Sequence, residues 1–158
     1  MESIMKKDVL LALKGLQFSL DEAQNETALE TITPAEYYKR GGSHYLIYDE
    51  VMEGFTDTTK SIIKFQENRL ELTKKGLVNV HMLFEENRKN MSSYHTPFGN
   101  IMIGIDTASI KCMEEEENIR VEVNYELEVN YEHLADCKIE MKVCPRDKGQ
   151  TFISTAES

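Results

Sequence analysis

Ile119-Arg120-Val121-Glu122-Val123-Asn124-Tyr125-Glu126-Leu127-Glu128-Val129-Asn130-Tyr131-Glu132 alternates without a break. Odd positions are aliphatic or aromatic; even positions are charged or Asn. A period of two is the mark of a β-strand with one dry and one wet face. At about 3.3 Å per residue the span predicts a strand roughly 40 Å long. That length suits a strongly coiled barrel wall better than a flat sheet of short strands. Cys137, Ile139, Met141 and Val143 repeat the pattern against Lys138, Glu140 and Lys142, which places a hairpin over 130–136.

Upstream, residues 93–107 read as a corner at Pro97 and Gly99 followed by a strand. In it Ile101, Ile103 and Ile105 face one way, and Asn100, Met102, Gly104 and Asp106 the other. Residues 7–20 form a first strand whose phase slips at Gly15: Val9, Leu11 and Leu13 share one parity, Leu16, Phe18 and Leu20 the other. A one-residue slip at glycine is how a bulge or barrel corner reads. A Thr-rich strand covers 26–39, with Pro34 confining it to an edge or a bend. The alternative there is a helical turn over 31–39, since proline is tolerated at a first helical position.

Gly41-Gly42 marks a tight hairpin into the strand 43–49. Further strands are expected over 60–66, at Leu70 and Leu72, and from Val78 to Phe84. Polar turns are expected over 85–90 and at the acidic tip 113–118. Many alternating strands joined by Gly, Asn and Asp turns predict an all-β, antiparallel barrel of eight to ten strands. A closed barrel also removes the long free edges that an open sheet would expose. The expected domain is residues 1–144, followed by a polar tail over 145–158.

The chain has 158 residues, 41% hydrophobic, with a formal charge of -10. Such a chain fits one domain with a sizeable core. Its negative charge and lack of Lys/Arg clusters argue against nucleic-acid binding and against an anionic membrane surface. No apolar run approaches a membrane span. The run Val9–Leu13 after Lys6-Lys7 is too short for a secretory leader. Cys112, Cys137 and Cys144 are odd in number and lack CxxC spacing, so no disulfide framework is expected. A reducing compartment follows, and the cytoplasm is the expected location.

Five motifs together resemble a known family. They are Tyr94-His95-Thr96-Pro97-Phe98-Gly99, Tyr45-Leu46-Ile47-Tyr48-Asp49-Glu50, Thr58-Thr59-Lys60, Lys74-Lys75-Gly76 and Met82-Leu83-Phe84. Over roughly residues 5 to 144 the chain resembles the YwiB-like calycin β-barrel family of bacteria, a domain of unknown function. The resemblance implies a lipocalin-like barrel and no established catalytic residues. Lys74 stands where arginine is expected, so a planar bidentate contact there becomes a point charge. Nothing carries over to the tail from Pro145.

Candidate chemistry is sparse. Ser93, His95 and Asp106 hold the atoms of a hydrolytic triad, but no nucleophile elbow accompanies them. His44, His81, His95 and His133 show no metal-ligand spacing. No catalytic residue, metal or cofactor is therefore expected. His44, Glu50, Lys60 and Lys74 fit either a solvated barrel rim or an anchor for a ligand's polar head. Tyr45, Tyr48, Tyr94 and Phe98 fit either a plugged core or a cavity wall. The candidate ligand-binding set is His44, Tyr48, Glu50, Lys60, Lys74, Tyr94, His95, Thr96 and Phe98. Two functions stay open: a barrel holding a small apolar or amphipathic ligand inside, or a protein-interaction module using its acidic surface. The second rests on the outward carboxylates Glu122, Glu126, Glu128 and Glu132. A protein partner is not specified, and both a monomer and a homodimer are compatible with the sequence.

Overall fold

The computed structural model describes residues 7–15, 30–51, 54–116 and 118–146. These form ten strands: β1 (Lys7–Lys14), β2 (Glu30–Arg40), β3 (Ser43–Val51), β4 (Thr58–Gln66), β5 (Arg69–Gly76), β6 (Val80–Glu85), β7 (Arg88–Thr96), β8 (Gly99–Glu114), β9 (Ile119–Val129) and β10 (Glu132–Pro145). All pairings are antiparallel, in the spatial order β6-β5-β4-β3-β2-β1-β10-β9-β8-β7. Each strand therefore lies beside its neighbours in sequence, and β1 pairs with β10 through Val9 and Pro145. The result is a nearly closed barrel, and among the described residues it contains no α-helix.

The junction of β6 and β7 closes differently from the rest. One backbone bridge joins Asn79 and His95, each N–H donating to the other's carbonyl at 2.9 Å. Beyond it, side chains take over. Asn90 Nδ2 donates to the Leu83 carbonyl at 3.2 Å, and Ser92 Oγ donates to that of His81.

Inward positions of every wall fill the interior. Leu11, Leu46, Phe65, Phe84, Ile105 and Ile139 are among the side chains fully removed from water. Phe84 and Tyr125 meet edge to face across the lumen, with ring centres 5.0 Å apart. Each buried aliphatic or aromatic side chain contributes about 1.5–3 kcal/mol. The middle of the barrel is thus a packed core, and free space is left at the ends.

Three expectations are corrected. The long strand stops at Val129: Asn130 and Tyr131 have φ of 50° and 70° and form a two-residue hairpin. Tyr131 is consequently an exposed turn residue, and β10 starts at Glu132 with a bulge between His133 and Ala135. The turn expected over 85–90 is only Glu86-Asn87, because β7 already begins at Arg88. The acidic tip begins later than expected, since β8 runs on to Glu114. Residues 31–39 are strand throughout. The expected strand segment beyond Gly15, with Leu16, Phe18 and Leu20, lies outside the described residues, as does the tail from residue 147.

Candidate functional site

The β2–β3 ladder runs from Arg40↔Ser43 to Glu36↔Ile47 and then stops. Pro34, two residues on, has no N–H with which to extend it. Past that point Thr31, Ile32 and Thr33 pair only with β1, while Tyr48 to Val51 pair only with β4. The strands part, and a cavity of about 200 Å³ opens between them at one end of the barrel. Leu13, Ile32 and Val51 give it an apolar side; Tyr48, Glu50 and Lys74 give it a polar one.

The polar side is built from inward positions on β3, β4 and β5. Lys74 Nζ lies 3.0 Å from Glu50 Oε1 and donates to Oε2 at 3.2 Å. Ser61 Oγ donates to Glu50 Oε1 at 2.9 Å. The Lys74 side chain is only 9% exposed and that of Glu50 25%. Tyr48 Oη is buried beside Ser61 and Glu50, yet no well-aligned hydrogen bond reaches it. Burial, reinforced by the charge of Glu50, pushes its hydroxyl far above the ordinary tyrosine range. Tyr94 is raised by the same two causes, which places its hydroxyl in the field of Glu50.

Three of the nine sequence-derived candidates, Tyr48, Glu50 and Lys74, thus line one cavity, whereas Tyr94 packs against the core from β7 and is not among its lining residues. The others do not join them. Lys60 is exposed, on the parity opposite to buried Thr59 and Ser61. His95 is exposed and acts through its backbone bridge. Thr96 Oγ1 accepts from Phe98 N at 3.1 Å and donates to the Gly99 carbonyl at 2.8 Å, so it shapes a turn. Phe98 is 82% exposed and meets Phe55 edge-on, ring centres 6.0 Å apart. His44 sits at the opposite end of the barrel, since β3 carries it and Glu50 near its two ends.

Ser61 was missed by the sequence reading. It shares parity with Ile63 and Phe65, so a polar residue on a dry face was the available signal. Ser93 and His95 are exposed on β7, and Asp106 lies opposite Lys89 on β8, several residues along from both; no triad forms. Glu126, His133 and Asp136 bring ligand-type atoms within 4.8 Å of one another, but all three are exposed on the outer face. Among the described residues no helix is long and apolar enough to cross a membrane.

Comparison with known proteins places this geometry in context. A family model described as a domain of unknown function (DUF1934) matches residues 13–141. An uncharacterised β-barrel protein of Bacillus subtilis (strain 168), YwiB, is 26% identical over 123 residues, which span 78% of this chain and 84% of that one. The crystal structure of the ywiB protein from Bacillus subtilis matches with a TM-score of 0.70 at 21% identity, covering 87% of this chain and 90% of that chain. At that identity the likeness establishes the fold.

Proposed function

Because the chain belongs to the DUF1934 family, a domain family of unknown function, its activity has to be read from its own side chains, and we propose that it binds a small amphipathic ligand in the cleft between β2 and β3. The observation that carries this reading is the sequestered Lys74–Glu50 pair beside the Tyr48 hydroxyl, at the wall of a cavity. Removing two ions from water costs several kcal/mol each, and well-packed apolar residues hold such a position as well or better. A charged pair kept there is more economically explained by a ligand than by the fold.

The donors available are the Lys74 ammonium and the Tyr48 hydroxyl, so the complementary head group is an acceptor such as a carboxylate or carbonyl. Leu13, Ile32 and Val51 supply the wall for a short hydrocarbon portion. Its volume of about 200 Å³ lies below the roughly 300–1,000 Å³ of sites for drug-sized ligands. The ligand is accordingly a small metabolite seated at the barrel end, not one threaded through the filled interior. The reading involves no covalent step. Cys112, Cys137 and Cys144 are free thiols, which supports a reducing, cytoplasmic setting.

The interaction-module reading has less support, because part of the acidic face is neutralised within the chain. Lys138 bridges Glu122 and Glu140 at 3.2 and 3.4 Å, and Lys89 pairs with Glu128. The ligand reading is tested by native mass spectrometry of gently purified protein, followed by analysis of the denatured extract. A stoichiometric adduct is expected in the natural chain and its loss in the double variant Lys74→Met/Glu50→Leu. No adduct, or the same adduct in both proteins, overturns the proposal.

A further inference from the structure

The Tyr48 hydroxyl is a polar group at the cleft with nothing to bind. The residue is 5% exposed, and among the described residues its buried Oη has no hydrogen-bond partner. Ser61 and Glu50 lie close enough to perturb it, but neither meets hydrogen-bond geometry. Burial and the charge of Glu50 keep its proton on. Oη–H is therefore a donor without an acceptor in the lining of the cavity, and a buried donor in that state is costly until something accepts from it. Beside it, Glu50 Oε1 receives both Ser61 and Lys74, whereas Oε2 receives Lys74 alone among the described residues. Oε2 keeps a lone pair for one more donor.

The strand edges supply the second observation. Beyond Glu36↔Ile47, β2 and β3 no longer pair. In an antiparallel strand every second residue turns its N–H and C=O toward a given neighbour. Residues 31–33 pair with β1 and residues 48–51 with β4, so among the described residues no ladder receives the groups turned toward the cleft. Both edges thus offer amide donors and carbonyl acceptors to whatever enters.

Common head groups differ in how they meet these atoms. A carboxylate accepts from Tyr48 but brings another negative charge to a lining that already sets Asp49 and Glu50 against Lys74. An ammonium gives Glu50 a donor and leaves Tyr48 without an acceptor. A hydroxyl has a single O–H, to be spent on Glu50 or on a strand carbonyl. A primary carboxamide carries one carbonyl acceptor and two N–H donors. We propose that the cleft selects a neutral primary carboxamide on a short hydrocarbon, its carbonyl accepting from Tyr48 Oη and its N–H groups donating to Glu50 Oε2 and to a strand-edge carbonyl. This rests on the ligand reading of the cleft and narrows the head group from any acceptor to one class.

Titration of the full chain followed by two-dimensional amide NMR tests it, with four probes that share one hydrocarbon: isovaleramide, isovalerate, isoamyl alcohol and isoamylamine. Saturable shifts centred on residues 31–33 and 48–51 are expected with isovaleramide, and the other three are expected to bind at least about tenfold more weakly. Tyr48→Phe keeps the ring and removes the hydroxyl. It is expected to weaken isovaleramide by about tenfold while leaving the urea midpoint of the free protein level or higher, which a merely structural hydroxyl would not do. The four-probe comparison uses the natural chain, so it decides the matter if the variant does not fold. No saturable shift with isovaleramide, equal or tighter binding of isovalerate, or a Tyr48→Phe chain with a lowered midpoint and intact affinity overturns the proposal. If a native adduct persists while isovaleramide fails, the amide assignment falls and the cleft reading stands; if both are absent, the cleft reading falls as well.

Discussion

Gly15 sits at φ 87° with the position of a Cβ only 1.9 Å from the Lys138 carbonyl oxygen. A side chain there meets both left-handed strain and a backbone collision that no rotamer relieves. Gly15→Ala is expected to destabilise by about 1–3 kcal/mol from strain alone, and by more with the collision, read as a lower urea midpoint. The sequence betrayed this residue through the change of apolar phase around it. Lys74 makes the second residue-scale prediction. Lys74→Met strands Glu50, a quarter of which still reaches water, so the expected loss is about 2–3 kcal/mol, below the 3–5 typical of a fully buried partner. Adding Glu50→Leu should restore most of it, and the coupling is measurable as a double-mutant cycle in urea. Nothing local in the sequence reveals that Lys74 is buried. It stands beside Lys75 in a polar stretch, and only the parity shared with Leu70 and Leu72 places it inside.

Among the elements, β9 was the most legible, because its alternation is set by one packed face and one wet face over eleven residues. Its end was misplaced for a physical reason. Asn130 and Tyr131 both take positive φ, a conformation usually signalled by glycine, and Tyr131 continues the apolar parity while no longer belonging to it. The β6–β7 junction was not legible at all. Its closure by Asn90 and Ser92 side chains depends on how two strands splay in space. With one backbone bridge holding it, the strand amides of β6 and β7 on that side are expected to exchange with deuterium faster than those of β9, which is paired along both edges. Comparable protection in β6, β7 and β9 would show the junction to be tighter than its bonding implies. The site followed the same division: Tyr48 and Glu50 were legible from one conspicuous strand, whereas the gap opened beyond Pro34 emerges only when three strands are set side by side.

For the whole molecule, one charge in the core is decisive. Val123 is 0% exposed, and Val123→Asp is expected to abolish the cooperative thermal transition, since an unpaired carboxylate there has no partner. The barrel also buries several phenols. Tyr37, Tyr48, Tyr94 and Tyr125 are all raised, by burial first. A folded-state value above the unfolded one gives stability that is complete below about pH 10 and is lost as pH rises through the folded values. Urea midpoints should therefore hold up to about pH 10 and fall beyond it; a flat profile to pH 12 would contradict the burial of these rings.

The strand order has a kinetic consequence. Nine of the ten contacts around the wall join segments that are consecutive in the chain, whereas Val9 must find Pro145 from the far side of the polypeptide. Closing so long a loop is entropically the dearest step. The meanders β2–β6 and β7–β10 are thus free to assemble early, and the clasp of the first strand onto the last is the event that commits the molecule to its native state.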